Sequence, residues 1–239
     1  MKTKLKTYSK VQNRKNQKKH IPFIVPIVIL LSVAALSGLI VAMTQKAMPK
    51  TPVVCLDAGH GGDDVGAIGE SNRYEKDDNL KLTLLVAEKL KADNIRVILT
   101  RDDDTFISLD NRCKIANRKK ATLFVALHRN SADSGSGVEI WAESSAPENG
   151  MLLADNILAK LDEVGISKNR GVKTGIISNA NGDYYVNKHT DMPSCLVEMG
   201  FITSDDDNKL FDDNLDKYAS AIADGICETL SVVFEDNKQ

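Results

Sequence analysis

No acidic residue occurs among the first twenty residues, and no charged residue of either sign among the next twenty-three. Instead, eight Lys/Arg crowd residues 1–20, and "IPFIVPIVILLSVAALSGLIVAM" runs from Ile21 to Met43. As a helix that run would reach about 34 Å, enough for a bilayer core of about 30 Å. A cleaved signal peptide typically has an apolar region of only about 7–15 residues and then a small-x-small site. Here the run is longer, and "VAMTQKAMP" is a poor cleavage context. The pattern predicts an uncleaved signal anchor over residues 21–43. The positive-inside rule puts the basic segment 1–20 in the cytoplasm and everything after Thr44 outside. Residues 44–52 read as a short polar linker. Residues 53–234 suit one domain with a full core.

Beyond residue 20 there is no excess of basic charge. Eight of the 31 Lys/Arg and none of the 33 Asp/Glu lie before that point, which leaves a net charge of −10 after it. That balance argues against nucleic acid as a partner and against electrostatic adhesion to an anionic wall polymer. The four cysteines, Cys55, Cys113, Cys195 and Cys227, form no C-x-x-C pair. Cysteine zinc ligation is therefore not expected, and their placement in apolar runs predicts buried free thiols. There is no internal repeat, no low-complexity block and no tail long enough for a separate wall-binding module.

What remains is an alternation of strands and helices. Val53–Leu56, Ile95–Leu99, Leu123–Leu127, Val138–Trp141 and Cys195–Val197 read as short strands rich in Val, Ile and Leu. Between them, Leu80, Leu84, Ala87 and Leu90 share one helix face, and Ser108 is an N-cap for "LDNRCKIANRKK". A last helix carries Leu215, Tyr218, Ala219, Ile222, Ala223, Ile226 and Leu230 on one stripe. The expected fold is α/β, three layers, with a mostly parallel sheet covered on both faces and preceded by one transmembrane helix. In such sheets ligands collect outside the carboxyl ends of the strands.

Polar side chains gather at that edge. "VVCLDAGHGGDDVGAIG" places His60 after the first strand, "LFVALHRNSA" places His128 at the end of the third, and "PSCLVEMGFITS" places Glu198 at the end of a later one. Glu75, in "NRYEKDDNL", precedes a helix and can turn to the same crest. Two imidazoles and a carboxylate are a common catalytic zinc set, with a further position open to water. Glu198, with no evident structural task, is the candidate general base and acid. His189 could replace one histidine, and Glu70 could replace Glu75. "NANGDYY" is either a substrate-contacting segment or a plain loop.

Five motifs in order, "LDAGHGG", "YEKDDNLKL", "VILTRDDD", "NRCKIAN…ATLFVALHRNSA" and "MPSCLVEMGFITS", resemble the zinc-dependent N-acetylmuramoyl-L-alanine amidases of bacterial cell-wall turnover. The resemblance covers about residues 53–230. It implies zinc on His60, Glu75 and His128, with Glu198 as the catalytic carboxylate and peptidoglycan as substrate. It also implies a mixed central sheet, and glycines that keep the mouth around His60 open for zinc and a bulky glycopeptide. The family commonly has a small residue after the second histidine. Here Arg129 stands there, to bind a substrate carboxylate or to narrow the cleft; Arg129 and Asn130 are candidate substrate contacts. The stretch 135–196 is too short for the inhibitory helical insertion of some relatives. Alternatives are a zinc peptidase cutting within the stem peptide, or a non-catalytic wall-binding domain.

Overall fold

The computed structural model describes residues 51–145, 148–175 and 182–236. The expected basic segment, the apolar span 21–43 and the linker up to residue 50 lie outside the described residues. Among the described residues no helix is long and apolar enough to cross a membrane.

The elements are β1 (Val53–Ala58), α1 (Glu75–Ala92), β2 (Arg96–Leu99), α2 (Leu109–Arg118), β3 (Leu123–Asn130) and β4 (Val138–Ala142). They continue with α3 (Glu148–Val164), β5 (Asn169–Thr174), the short α4 (Tyr185–His189), β6 (Ser194–Phe201) and α5 (Asp205–Asp236). The six strands form one sheet in the order β2-β1-β3-β6-β4-β5. Every neighbouring pair is parallel except β4 with β6, so the sheet is mixed and mostly parallel.

Strand alternation divides the core in two. Val54, Leu56, Val125, Leu127 and Val197 pack with α1, α3 and α5 on one face. Val53, Cys55, Phe124, Ala126 and Leu196 pack with Cys113 and Ala116 of α2 and Val186 of α4 on the other. This makes three layers, and it explains why β1 is buried along its whole length rather than at alternate positions. The seven stripe residues expected on α5, from Leu215 to Leu230, are all buried. Ser108 caps α2, its side chain accepting from the Asn111 amide at 3.4 Å.

Two expectations differ from the structure. The buried face of α1 is Leu82, Val86, Ala87 and Leu90 together with Glu75, Asp78, Asn79 and Thr83, while Leu80 and Leu84 are only half-buried. Polar residues on the inward stripe turn the apolar pattern away from the true buried face. The strand β5 was not anticipated from "NRGVKT", a polar, half-exposed edge that pairs only with β4.

Candidate metal centre

β1 ends at Ala58, and two residues later His60 adopts a left-handed conformation with φ 61°. Between them, Gly59 has no room for a side chain. A Cβ there would stand 2.2 Å from His128 Cε1 and 2.4 Å from its Nε2. Here the glycine lets the His128 ring pack directly on the chain leaving β1, a tighter role than the open mouth expected. The two imidazoles meet edge to face, ring centroids 5.1 Å apart at 78°.

Glu75, the first residue of α1, lies between them. Its Oε1 is 3.0 Å from His128 Nδ1, and its Oε2 is 3.2 Å from His60 Nε2. One ligand-capable atom from each of these three residues lies within 4.8 Å of the others. The structure therefore brings His60, Glu75 and His128 together. It leaves the two alternatives outside the group. His189 stacks on Tyr185, centroids 4.0 Å apart, and Glu70 belongs to a single 3-10 turn.

A second set of residues fixes these three. Glu75 accepts from the Ala67 amide at 2.9 Å, the Arg129 amide at 3.1 Å and Asn79 Nδ2 at 3.2 Å. His60 Nδ1 lies 2.9 Å from Asp64 Oδ2, close enough to pair though not aligned as a hydrogen bond. Two arginines hold the backbone. Arg101 donates to the Ala58 and Gly59 carbonyls, each at 2.9 Å. Arg112 donates to the Ala58 carbonyl at 2.6 Å, the His60 carbonyl at 2.7 Å and buried Asp57 at 2.7 Å. Burial pulls the His60 imidazole down, but Glu75 and Asp64 outweigh it and raise it to about 9. Burial pushes the Glu75 carboxyl up, but His128 and His60 outweigh it and hold it far below the usual carboxylate range.

Glu198 is the register partner of His128 across β3 and β6, so both point to the same side of the sheet. It is 7% exposed, and its Oε2 has no hydrogen-bond partner. Burial, with the charges of Glu75 and Glu139 adding to it against His128 and His60, raises its carboxyl to about 7. His60, Glu75, His128 and Glu198 all line one cleft of about 720 Å³, walled on its apolar side by Phe106, Leu109 and Tyr184.

Arg129 borders the same cleft, but its guanidinium is committed elsewhere. Strand alternation sends its side chain to the face opposite His128, where it is fully buried. Its guanidinium donates to Asp78 at 2.6 Å and Asn208 at 2.7 Å and lies over Phe211. Only its backbone serves the site, through the amide on Glu75. Asn130 borders the cleft, but its Nδ2 is committed to Glu139 at 3.0 Å.

Glu139 was missed altogether. It is 1% exposed and is the register partner of Glu198 on β4. Burial pushes its carboxyl up, but Arg170 and Lys173 outweigh it and keep it below the usual range. The cue lay in β5, whose basic residues announce nothing until the strand is placed beside β4.

The family model for N-acetylmuramoyl-L-alanine amidase matches residues 54–228. The uncharacterized protein YqiI of Bacillus subtilis is 38% identical over 200 residues, covering 80% of this chain and 93% of that one. The N-acetylmuramoyl-L-alanine amidase LytC of Bacillus subtilis is 38% identical over 185 residues, 74% of this chain but only 36% of LytC. Among solved structures, the amidase AmiC2 of Nostoc punctiforme superposes with a TM-score of 0.69 at 34% identity, covering 77% of this chain and 99% of AmiC2. With a match that spans nearly every described element, the chain belongs to the N-acetylmuramoyl-L-alanine amidase family of cell-wall hydrolases.

Proposed function

We propose that this enzyme is zinc-dependent and membrane-anchored, and that it hydrolyses the amide joining the lactyl group of N-acetylmuramic acid to L-Ala of the stem peptide. The donor set suits the ion. Ligand atoms around tetrahedral zinc, with bonds of about 2.0–2.1 Å, lie about 3.3 Å from one another. Each imidazole meets a different oxygen of Glu75, at 3.0 and 3.2 Å, and one ligand-capable atom from each of the three residues lies within 4.8 Å of the others, a set that a small shift would draw to that spacing. His60, Glu75 and His128 would hold the metal, with Asp64 orienting the His60 ring from behind. When bound there, zinc supplies Lewis-acid polarisation of a carbonyl and activation of a water.

The chain's own residues do the rest. Phe106 and Leu109, each 53% exposed, give one side of the cleft an apolar wall against which a substrate can pack. Glu198 takes a proton from the attacking water at Oε2 and returns it to the departing alanine nitrogen. The observation that carries this proposal is that buried, unpartnered oxygen. A carboxylate with no structural partner, facing two imidazoles, is placed to move protons.

The test is Glu198→Gln, which keeps the shape and removes the base. Zinc content and folding should stay near wild type, and turnover should fall by about 10²–10⁴-fold. Wild-type protein should release intact stems that begin with a free L-Ala amine. New amines inside the stem would point to a peptidase, and none at all to a binding module. Either result would overturn the proposal.

The anchoring half of the proposal rests on Ile21–Met43 and its basic flank, with the N-terminus in the cytoplasm and the catalytic domain outside.

A further inference from the structure

Past Glu198 the sheet continues through β4 to the edge strand β5. There a second recess of about 330 Å³ adjoins the metal cleft, and the two share Asn130 and Ser131. Its charged side chains are Glu139, Arg170 and Lys173. Arg170 Nε and Lys173 Nζ both donate to the same oxygen, Glu139 Oε2, each at 2.6 Å. One buried carboxylate thus faces two cations whose side chains are 27% and 32% exposed, and a positive charge is left over.

Both cations are held in place. The Arg170 guanidinium lies 5.0 Å over the Phe201 ring and the Lys173 ammonium 5.1 Å over Trp141. A guanidinium offers five N–H donors and an ammonium three. Glu139 takes one from each, and the Ser136 carbonyl takes another from Arg170 at 3.4 Å. The other donors have no partner among the described residues. A clamp that served only to neutralise Glu139 would need one cation, and it would not need a recess beside the cleft.

We infer that Arg170 and Lys173 form an anion subsite for a carboxylate on the peptide side of the substrate, two or three residues from the scissile amide. This rests on the proposed function. The direction follows from charge: N-acetylated sugars are neutral once the lactyl group is in amide linkage, so the substrate's carboxylates lie on the peptide. The distance follows from the sheet. Glu139 is the register partner of Glu198, one strand spacing of about 4.8 Å away. The cations gathered on its oxygen stand on the order of 5–10 Å from the catalytic carboxylate. An extended peptide advances about 3.3 Å per residue, which spans that gap in two or three residues.

Binding, measured apart from turnover, lets the subsite and the amidase activity fail separately. The full chain carrying Glu198→Gln, in detergent, is titrated calorimetrically with a muramoyl-peptide whose second stem residue bears a free carboxylate. The same compound with that group as a carboxamide is the comparison. The carboxylate form should bind about tenfold tighter, as suits charge-assisted hydrogen bonds in a partly buried recess. Adding Lys173→Met, which leaves Arg170 to neutralise Glu139, should bring the ratio close to one, and Lys173→Arg should preserve it. Equal binding of the two compounds, no binding of either, or a ratio that Lys173→Met leaves unchanged would overturn the subsite. A lowered melting temperature with an unchanged ratio would leave the cations as a charge clamp. Absence of lactyl–alanine cleavage by wild type would instead sink the amidase proposal without altering the binding ratio.

Discussion

At φ 61°, His60 sits in backbone geometry that L-residues avoid at a cost of roughly 1–2 kcal/mol. The carbonyls around it are held by Arg101 and Arg112, whose charge-assisted hydrogen bonds offset that strain. Two neighbouring side chains carry predictions. Arg129→Met should cost about 3–5 kcal/mol by breaking the buried pair with Asp78, toward the low end because Arg73 still reaches that carboxylate at 2.7 Å. The folded fraction should keep its KM, since the guanidinium is fully buried on Asp78 and Asn208; a KM raised tenfold in stable protein would restore Arg129 as a substrate contact. Glu198 predicts a pH dependence. Its folded value of about 7 exceeds the ordinary 4.5, so between those limits the folded protein keeps a proton that the unfolded chain has lost. Stability of the metal-free protein therefore falls as pH rises through that window, by on the order of 3 kcal/mol. Melting curves of metal-free Glu198→Gln should match wild type at pH 4.5 and lie several degrees above it at pH 8. A gap independent of pH would refute the burial effect. His60, His128 and Glu198 were legible because a strand pattern running straight into a polar side chain is a local signal. Arg101, Arg112 and Glu139 were not, because their partners lie dozens of residues away along the chain.

Among the elements, α5 packs closely on α3 at Gly225. A Cβ there would meet Ile157 Cα at 2.7 Å and Ile157 N at 2.8 Å. Glycine inside a helix normally costs about 1 kcal/mol against alanine, so Gly→Ala usually stabilises. Here the sign should reverse. Gly225→Ala should lower the denaturation midpoint by pushing α5 off α3, and a raised midpoint would show that the helices have room to part. The long stripe of α5 was readable because Leu215, Tyr218, Ala219, Ile222, Ala223, Ile226 and Leu230 follow helical spacing and are all buried. In α1 the apolar spacing points instead to Leu80 and Leu84, because polar residues take the inward stripe: Glu75 and Asn79 at the candidate metal site, and Asp78 paired with Arg73 and Arg129. For β5, an edge partner was decided by β4 across the sheet, and "NRGVKT" has none of the β-branched density that marks a central strand.

At the scale of the molecule, the described residues from 51 to 236 make one compact unit. A fragment of residues 50–239 should therefore unfold cooperatively and keep its activity; persistent aggregation would move the boundary. In whole cells stripped of their wall, external protease should digest the domain. An N-terminal sequence beginning near Ala47 would show a cleaved leader instead of an anchor. The thiols bear on the same question of compartment. All four cysteines are free, three of them buried, and burial pushes every thiol up, Cys113 to about 11. The thiolate is the reactive form, so these side chains stay inert at neutral pH. The domain consequently needs no oxidant to reach its native state and no reductant to remain there, and a redox difference across a membrane would leave its shape unchanged.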